Sequence, residues 1–127
     1  MTRPSEISFD NPESIVQAQF DAFNRRDLEA LVAIYADDAE LYEHPTKLLA
    51  KGSIELRERF ALRFAEPNLH ACLLKRIIMG GTVIDHELVT RTFPDGCGTI
   101  ELTMIYLVES GRISKAWSIA GPKTLTA

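Results

Sequence analysis

The apolar period changes once along this chain: it is helical, with one short alternating interruption, before Leu69 and alternating from there on. Val16, Phe20 and Phe23 recur at i, i+4 and i+7, with Ile15, Ala18 and Ala22 on an adjoining stripe, so they predict an amphipathic helix. Asn11-Pro12-Glu13 marks its start with an N-cap, a proline at the first helical position and an acid in the first turn. Asp27 reads as a second cap, and Leu28, Leu31, Val32 and Tyr35 follow at i, i+3, i+4 and i+7. The junction between them is too short for the two helices to separate, which predicts a helical hairpin or corner. Asp37-Asp38 breaks the pattern, and Ala39 to Glu43 then alternates around Leu41 until Pro45 stops it. Leu48 to Lys51 reads as a partner segment. Gly52-Ser53 opens a third helix with Leu56, Phe60 and Phe64 on one stripe, closed by Pro67. Arg57, Glu58, Arg59 and Arg63 on that helix are expected to be a solvated face rather than a phosphate site.

From Leu69 onward, Gly80-Gly81, Pro94-Asp95-Gly96 and Glu109-Ser110-Gly111 separate four runs of roughly ten residues, the spacing of an antiparallel meander. Several runs are apolar on both faces. If Ala116, Ser118 and Ala120 face a core, Ile113, Trp117 and Ile119 cannot all be solvated. A sheet with helices on one face should keep its other face polar, so this outer face is expected to meet another subunit. Helices first and a long meander afterwards make an α+β architecture rather than an alternating one.

The chain has 127 residues, and that length predicts one domain over 1–127. A net charge of -4 argues against a nucleic-acid partner, which would need a basic stripe. No apolar run approaches the ~20 residues needed to span a membrane, and Met1 to Ser14 has no secretory apolar core. A cytoplasmic protein is the expectation. Cys72 and Cys97 make no metal spacing, and His44, His70 and His86 are scattered, so neither a metal nor a cofactor is expected.

One string adds a more specific likeness. Phe23-Asn24-Arg25-Arg26-Asp27-Leu28, then Tyr35-Ala36-Asp37-Asp38-Ala39-Glu40-Leu41-Tyr42-Glu43-His44-Pro45, then Gly52 and a helix, resembles the nuclear transport factor 2-like superfamily. Within it the chain is most similar to SnoaL-like and ketosteroid isomerase-like proteins, over about residues 12 to 122. The resemblance implies a cone: a bent, mostly antiparallel sheet wrapped around three helices, enclosing a deep pocket. It also implies a homodimer formed through the outer face of the sheet. The same superfamily hosts isomerases, cyclases, dehydratases, epoxide hydrolases and proteins without known chemistry.

Ketosteroid isomerases use a carboxylate base before the proline of this string, and a tyrosine and a neutral acid to hold the enolate oxygen. On this chain the base position falls on His44, the tyrosine on Gln19 and the acid near Met104. Gln19 is a weak donor and Met104 donates nothing, which disfavours steroid isomerisation itself, while an imidazole at His44 remains a competent base. Epoxide hydrolase relatives instead place an aspartate–arginine–aspartate set on the meander. Here Asp85, Glu87 and Arg91 share one face of a strand by alternation, with His86 on the other. Asp85 is then the second catalytic candidate, and Glu87 and Arg91 are candidate substrate contacts. Gly121 stands where the second aspartate of that set would be. Tyr42 is a further pocket candidate by alternation with His44. Tyr35 and Trp117 are expected to be packing residues. The expected function is a pocket for a small apolar molecule, with an isomerase or cyclase acting by proton abstraction next to a carbonyl. The alternatives are a non-catalytic ligand-binding dimer and epoxide hydrolysis through Asp85.

Overall fold

The computed structural model describes residues 11–126. Helix α1 (Pro12–Arg25) starts where the Asn11 side chain accepts a hydrogen bond from the Glu13 amide at 2.9 Å. Arg26 ends it in a left-handed conformation, with φ of 57°. Asp27 caps α2 (Leu28–Ile34), its carboxylate accepting from the Ala30 amide at 3.1 Å. Both expected caps form, because each satisfies an amide that the first helical turn leaves without a carbonyl.

Strand β1 (Tyr35–Glu43) follows α2 without a loop and turns back into β2 (Lys47–Lys51), which leads into α3 (Gly52–Phe64). Tyr35, which its spacing put on the helical stripe, is the first residue of β1 and is buried. The meander follows as β3 (His70–Met79), β4 (Thr82–Phe93), β5 (Gly96–Glu109) and β6 (Arg112–Leu125), turning at the three expected places. The six strands lie in the order β2-β1-β6-β5-β4-β3. All neighbours are antiparallel except β1 and β6, which run parallel. Three helices against one mixed, unclosed sheet is the expected α+β cone.

Asn24 explains part of the string that carried the resemblance. Its side-chain amide donates to the Ala71 carbonyl at 2.9 Å and accepts from the Ala71 amide at 2.8 Å. The end of α1 is thereby fastened to the first strand of the meander, and the helices cannot slide along the sheet.

Register decides which side chains face the helices. β4 pairs with β5 from Thr82 to Phe93 without a bulge, so alternation holds throughout. Val83, Asp85, Glu87, Val89 and Phe93 are buried on the inner face, while His86 and Leu88 lie on the outer one. A register shift between β5 and β6, where Leu107 pairs with Lys115 but Val108 with Ile113, turns Ile113 inward. Ile113 is fully buried with Val16, Leu31, Leu56 and Val83, so its expected place on the outer face is corrected. Trp117 and Ile119 do lie outside, across from Ile105 and Thr103. Five outer residues line up across neighbouring strands: Tyr42, Trp117, Ile105, Ile84 and Ile77.

Candidate functional site

The space between helices and sheet holds a cavity of about 230 Å3, smaller than a typical drug-sized pocket. Its helical wall is aromatic: Phe20 and Phe23 from α1 and Phe60 from α3, with Phe23 and Phe60 packed edge to face. Its sheet wall presents Val89, Ile100, Leu102 and Met104. Polar groups enter at two ends. The buried end has Gln19, Tyr35, Glu87 and Tyr106, and the more open rim has Glu43, Arg59, Arg63 and Arg91.

At the buried end the Tyr106 hydroxyl donates to Gln19 Oε1 at 3.2 Å. The Tyr35 hydroxyl is buried and has no hydrogen-bond partner among the described residues. Burial raises the pKa of both phenols, so both stay protonated donors.

Glu87 is the unusual group. It is 5% exposed, it faces the cavity, and no hydrogen bond to its carboxyl forms among the described residues. Loss of water pushes its pKa up to about 8, with the Asp85 carboxylate adding to the rise and Arg76 opposing it. At neutral pH this carboxyl is mostly a neutral acid. Asp85, two residues away, meets a different fate. Its two oxygens accept from Arg76 Nε at 2.6 Å and Nη2 at 2.8 Å, a bidentate pair closed off from solvent. Arg76 reaches on to Gln17 Oε1 at 2.8 Å, so the pair is anchored to α1.

At the rim, Glu66 organises two of the three arginines. Its carboxylate accepts from Arg63 Nη1 at 3.1 Å and from Arg91 Nη2 at 2.8 Å and Nε at 3.2 Å. The Thr92 amide is a further donor to it at 3.1 Å. Arg59 has no hydrogen-bond or ion-pair partner among the described residues.

The structure gathers Gln19, Glu87, Arg91 and Met104 around one cavity, as the sequence positions suggested. It corrects the placement of three others. Tyr42 lies on the outer face, stacked on Trp117 with ring centroids 5.9 Å apart and its hydroxyl donating to Glu40 at 2.7 Å. The reason is alternation: Leu41 and Glu43 point inward, so Tyr42 cannot. His44 is exposed in the turn between β1 and β2, outside the lining. Asp85 sits behind the lining and meets Arg76 instead of Arg91, so the aspartate–arginine contact that water activation needs is not formed within β4.

Four residues escaped the sequence reading. Glu43 enters the cavity one position before His44, because β1 ends at Glu43 and its alternation turns Leu41 and Glu43 inward while His44 falls in the turn. Arg59 and Arg63 looked like a solvated helix face, yet the curled sheet reaches over them. Arg76 had no signal at all, since only strand pairing brings it beside Asp85. Among the described residues no cluster of three metal-ligating side chains forms, and no helix is long and apolar enough to cross a membrane.

Solved structures share this architecture. An uncharacterised cystatin-fold protein from Novosphingobium aromaticivorans superposes with a TM-score of 0.78 at 23% identity, over 85% of this chain and 97% of that one. An LEH-like epoxide hydrolase from M. tuberculosis gives 0.75 at 13% identity, over 87% and 82%. A protein of ketosteroid isomerase-like fold from Catenulispora acidiphila, in complex with trimethylamine, gives 0.71 at 17% identity, over 82% of each chain. Such identities establish a shared fold and leave chemistry open. No curated protein matches this chain. The model of the SnoaL-like domain matches residues 16–116, from the middle of α1 into β6, and the chain belongs to that family.

Proposed function

We propose that the cavity takes a small, largely apolar carbonyl compound and that the protein moves a proton next to that carbonyl. The observation that carries this reading is Glu87: a buried carboxyl without a partner among the described residues, facing an apolar cavity, with a pKa near 8. A neutral acid in a dry site donates a strong hydrogen bond to an oxygen that is gaining negative charge. Tyr35 offers the second donor: its hydroxyl is buried at the same end, beside the Gln19 side chain, and donates no hydrogen bond among the described residues. Steroid isomerases use the same two donor types, which Gln19 and Met104 do not provide; Tyr35 and Glu87 offer them from other positions.

Glu43 is the base. It is the other carboxylate that lines the cavity, and in the proposed complex the carbon beside the carbonyl lies between it and Glu87. Its oxygen takes the proton from the carbon beside the carbonyl, and the electron pair moves to the carbonyl oxygen held by Glu87 and Tyr35. Returning the proton to another carbon isomerises the compound; attack of the enolate on a second carbonyl closes a ring. Neither outcome requires a redox partner. His44 adjoins this base but points away from the cavity.

Exchange of the α-hydrogens of β-tetralone in deuterated water, followed by proton NMR, tests the reading without knowledge of the substrate. The protein should accelerate exchange over buffer, and Glu43→Gln and Glu87→Leu should each remove at least nine-tenths of the acceleration. Undiminished exchange in Glu87→Leu rejects the role of Glu87. Binding without exchange in the wild type identifies a ligand-binding protein instead.

The outward row from Tyr42 to Ile77 supports a homodimer formed through the sheet. Ile77 is 50% exposed and Ile119 beside the row is 40% exposed, so a broad apolar strip lies uncovered on one chain.

A further inference from the structure

The rim carries one more positive charge than it can neutralise. Arg59, Arg63 and Arg91 face the cavity, and the carboxylates near them are Glu43 on the rim and Glu66 behind it. Glu66 is taken by Arg63 and Arg91 together. Glu43 lies 3.9 Å from Lys47 and is not within ion-pair distance of Arg59. Arg59 is only half exposed, and both burial and the neighbouring Arg63 lower its pKa, whereas Glu43 raises it. A partly desolvated guanidinium without a hydrogen-bonding partner is costly, and its planar fork of donors matches the two oxygens of a carboxylate.

We infer that Arg59 receives a carboxylate of the ligand, so that the substrate is an apolar carbonyl compound with an acid group at the end nearest the rim. The carbonyl half of this statement rests on the role proposed for Glu87; the acid half rests on Arg59 alone. Arg59 is the rim arginine left without a partner, and its fork of donors fits one carboxylate. A phosphate, with close to two charges at neutral pH, would remain half-compensated and repelled by Glu43. The inference also sets the direction of binding: acid outward, carbonyl inward, apolar body against Phe23 and Phe60. A substrate so held is a keto acid.

Naphthylacetate and its neutral analogue naphthylacetamide, titrated by fluorescence at pH 7, separate the two halves. The wild type should bind the acid at least tenfold more tightly than the amide. Arg59→Gln should reduce that preference below twofold, and Arg59→Lys should keep part of it. Arg57→Gln, on the same helix but paired with Glu29 outside the cavity, should leave it unchanged. Equal binding of acid and amide by the wild type, or a preference that survives Arg59→Gln, overturns the inference while the α-exchange result stands. Loss of the Glu87 effect on exchange, with the acid preference intact, overturns the carbonyl role instead. If neither compound binds at millimolar concentration, both statements fall.

Discussion

Replacing Glu87 by glutamine should change how stability depends on pH more than how stable the protein is at any one pH. In the unfolded chain a glutamate titrates near 4.5, and in the folded protein Glu87 titrates near 8. A group whose folded pKa is raised contributes fully below its unfolded pKa. That contribution is lost as pH rises through the interval between the two values, here from 4.5 to about 8. Each pH unit within that interval is worth about 1.4 kcal/mol. Between pH 5 and pH 9 the wild type should therefore lose about 4 kcal/mol from this one carboxyl. Glutamine has nearly the same shape and no proton to lose, so Glu87→Gln lacks this dependence. Urea unfolding of both proteins at pH 5, 7 and 9 isolates it, because the other titrating groups are common to the pair. The stability difference between the two should swing by about 4 kcal/mol in favour of glutamine as pH rises. A difference constant to within about 1 kcal/mol would show that Glu87 is solvated or paired in solution, and the proposed donor would be lost with it.

Three further outcomes follow from the same geometry. Tyr35→Phe removes a buried hydroxyl that lies beside the Gln19 side chain, so thermal unfolding should show a change of no more than about 1 kcal/mol while α-exchange falls at least tenfold. Arg76→Met leaves the Asp85 carboxylate buried and unpaired and should cost about 3–5 kcal/mol in urea unfolding at pH 7. Trp117→Asp puts a charge in the middle of the outer apolar row, and sedimentation should show a dimer for the wild type and monomers for the variant. An unchanged sedimentation coefficient would place the dimer surface elsewhere.

Much of the fold was legible because it is written in local signals. Asn11 and Asp27 cap the two helices they were expected to cap, and the three glycine-containing turns fall where the strands reverse. Alternation put Asp85, Glu87 and Arg91 on one face of β4, but which face looks inward was left open by the sequence and is decided by the unbulged pairing with β5. What failed depended on tertiary facts. The shift near Val108 reverses Ile113 and cannot be seen in a pattern of period two. The partner of Asp85 comes from β3 through strand pairing, not from the arginine on its own strand. Arg59 and Arg63 have the spacing of a wet helix face, and only the curl of the sheet makes them a rim. His44 and Glu43 differ by one residue, and one residue is the whole difference between the two faces of a strand.

The parallel contact of β1 with β6 ties the beginning of the fold to its end. Leu41 finds its neighbour in Ala116, and Tyr42 in Trp117. Until β6 arrives, the helices and β1–β2 have no link through the sheet to the meander, and the cavity has no wall between Leu41 and Tyr106. The helix faces next to β1 are therefore fully covered by the sheet only once β6 is in place. Contacts this distant in sequence slow folding. The last strand then acts as the closing stave of a barrel-like wall, and shortening it should show first as slow refolding and loss of the cavity, before any helix is lost.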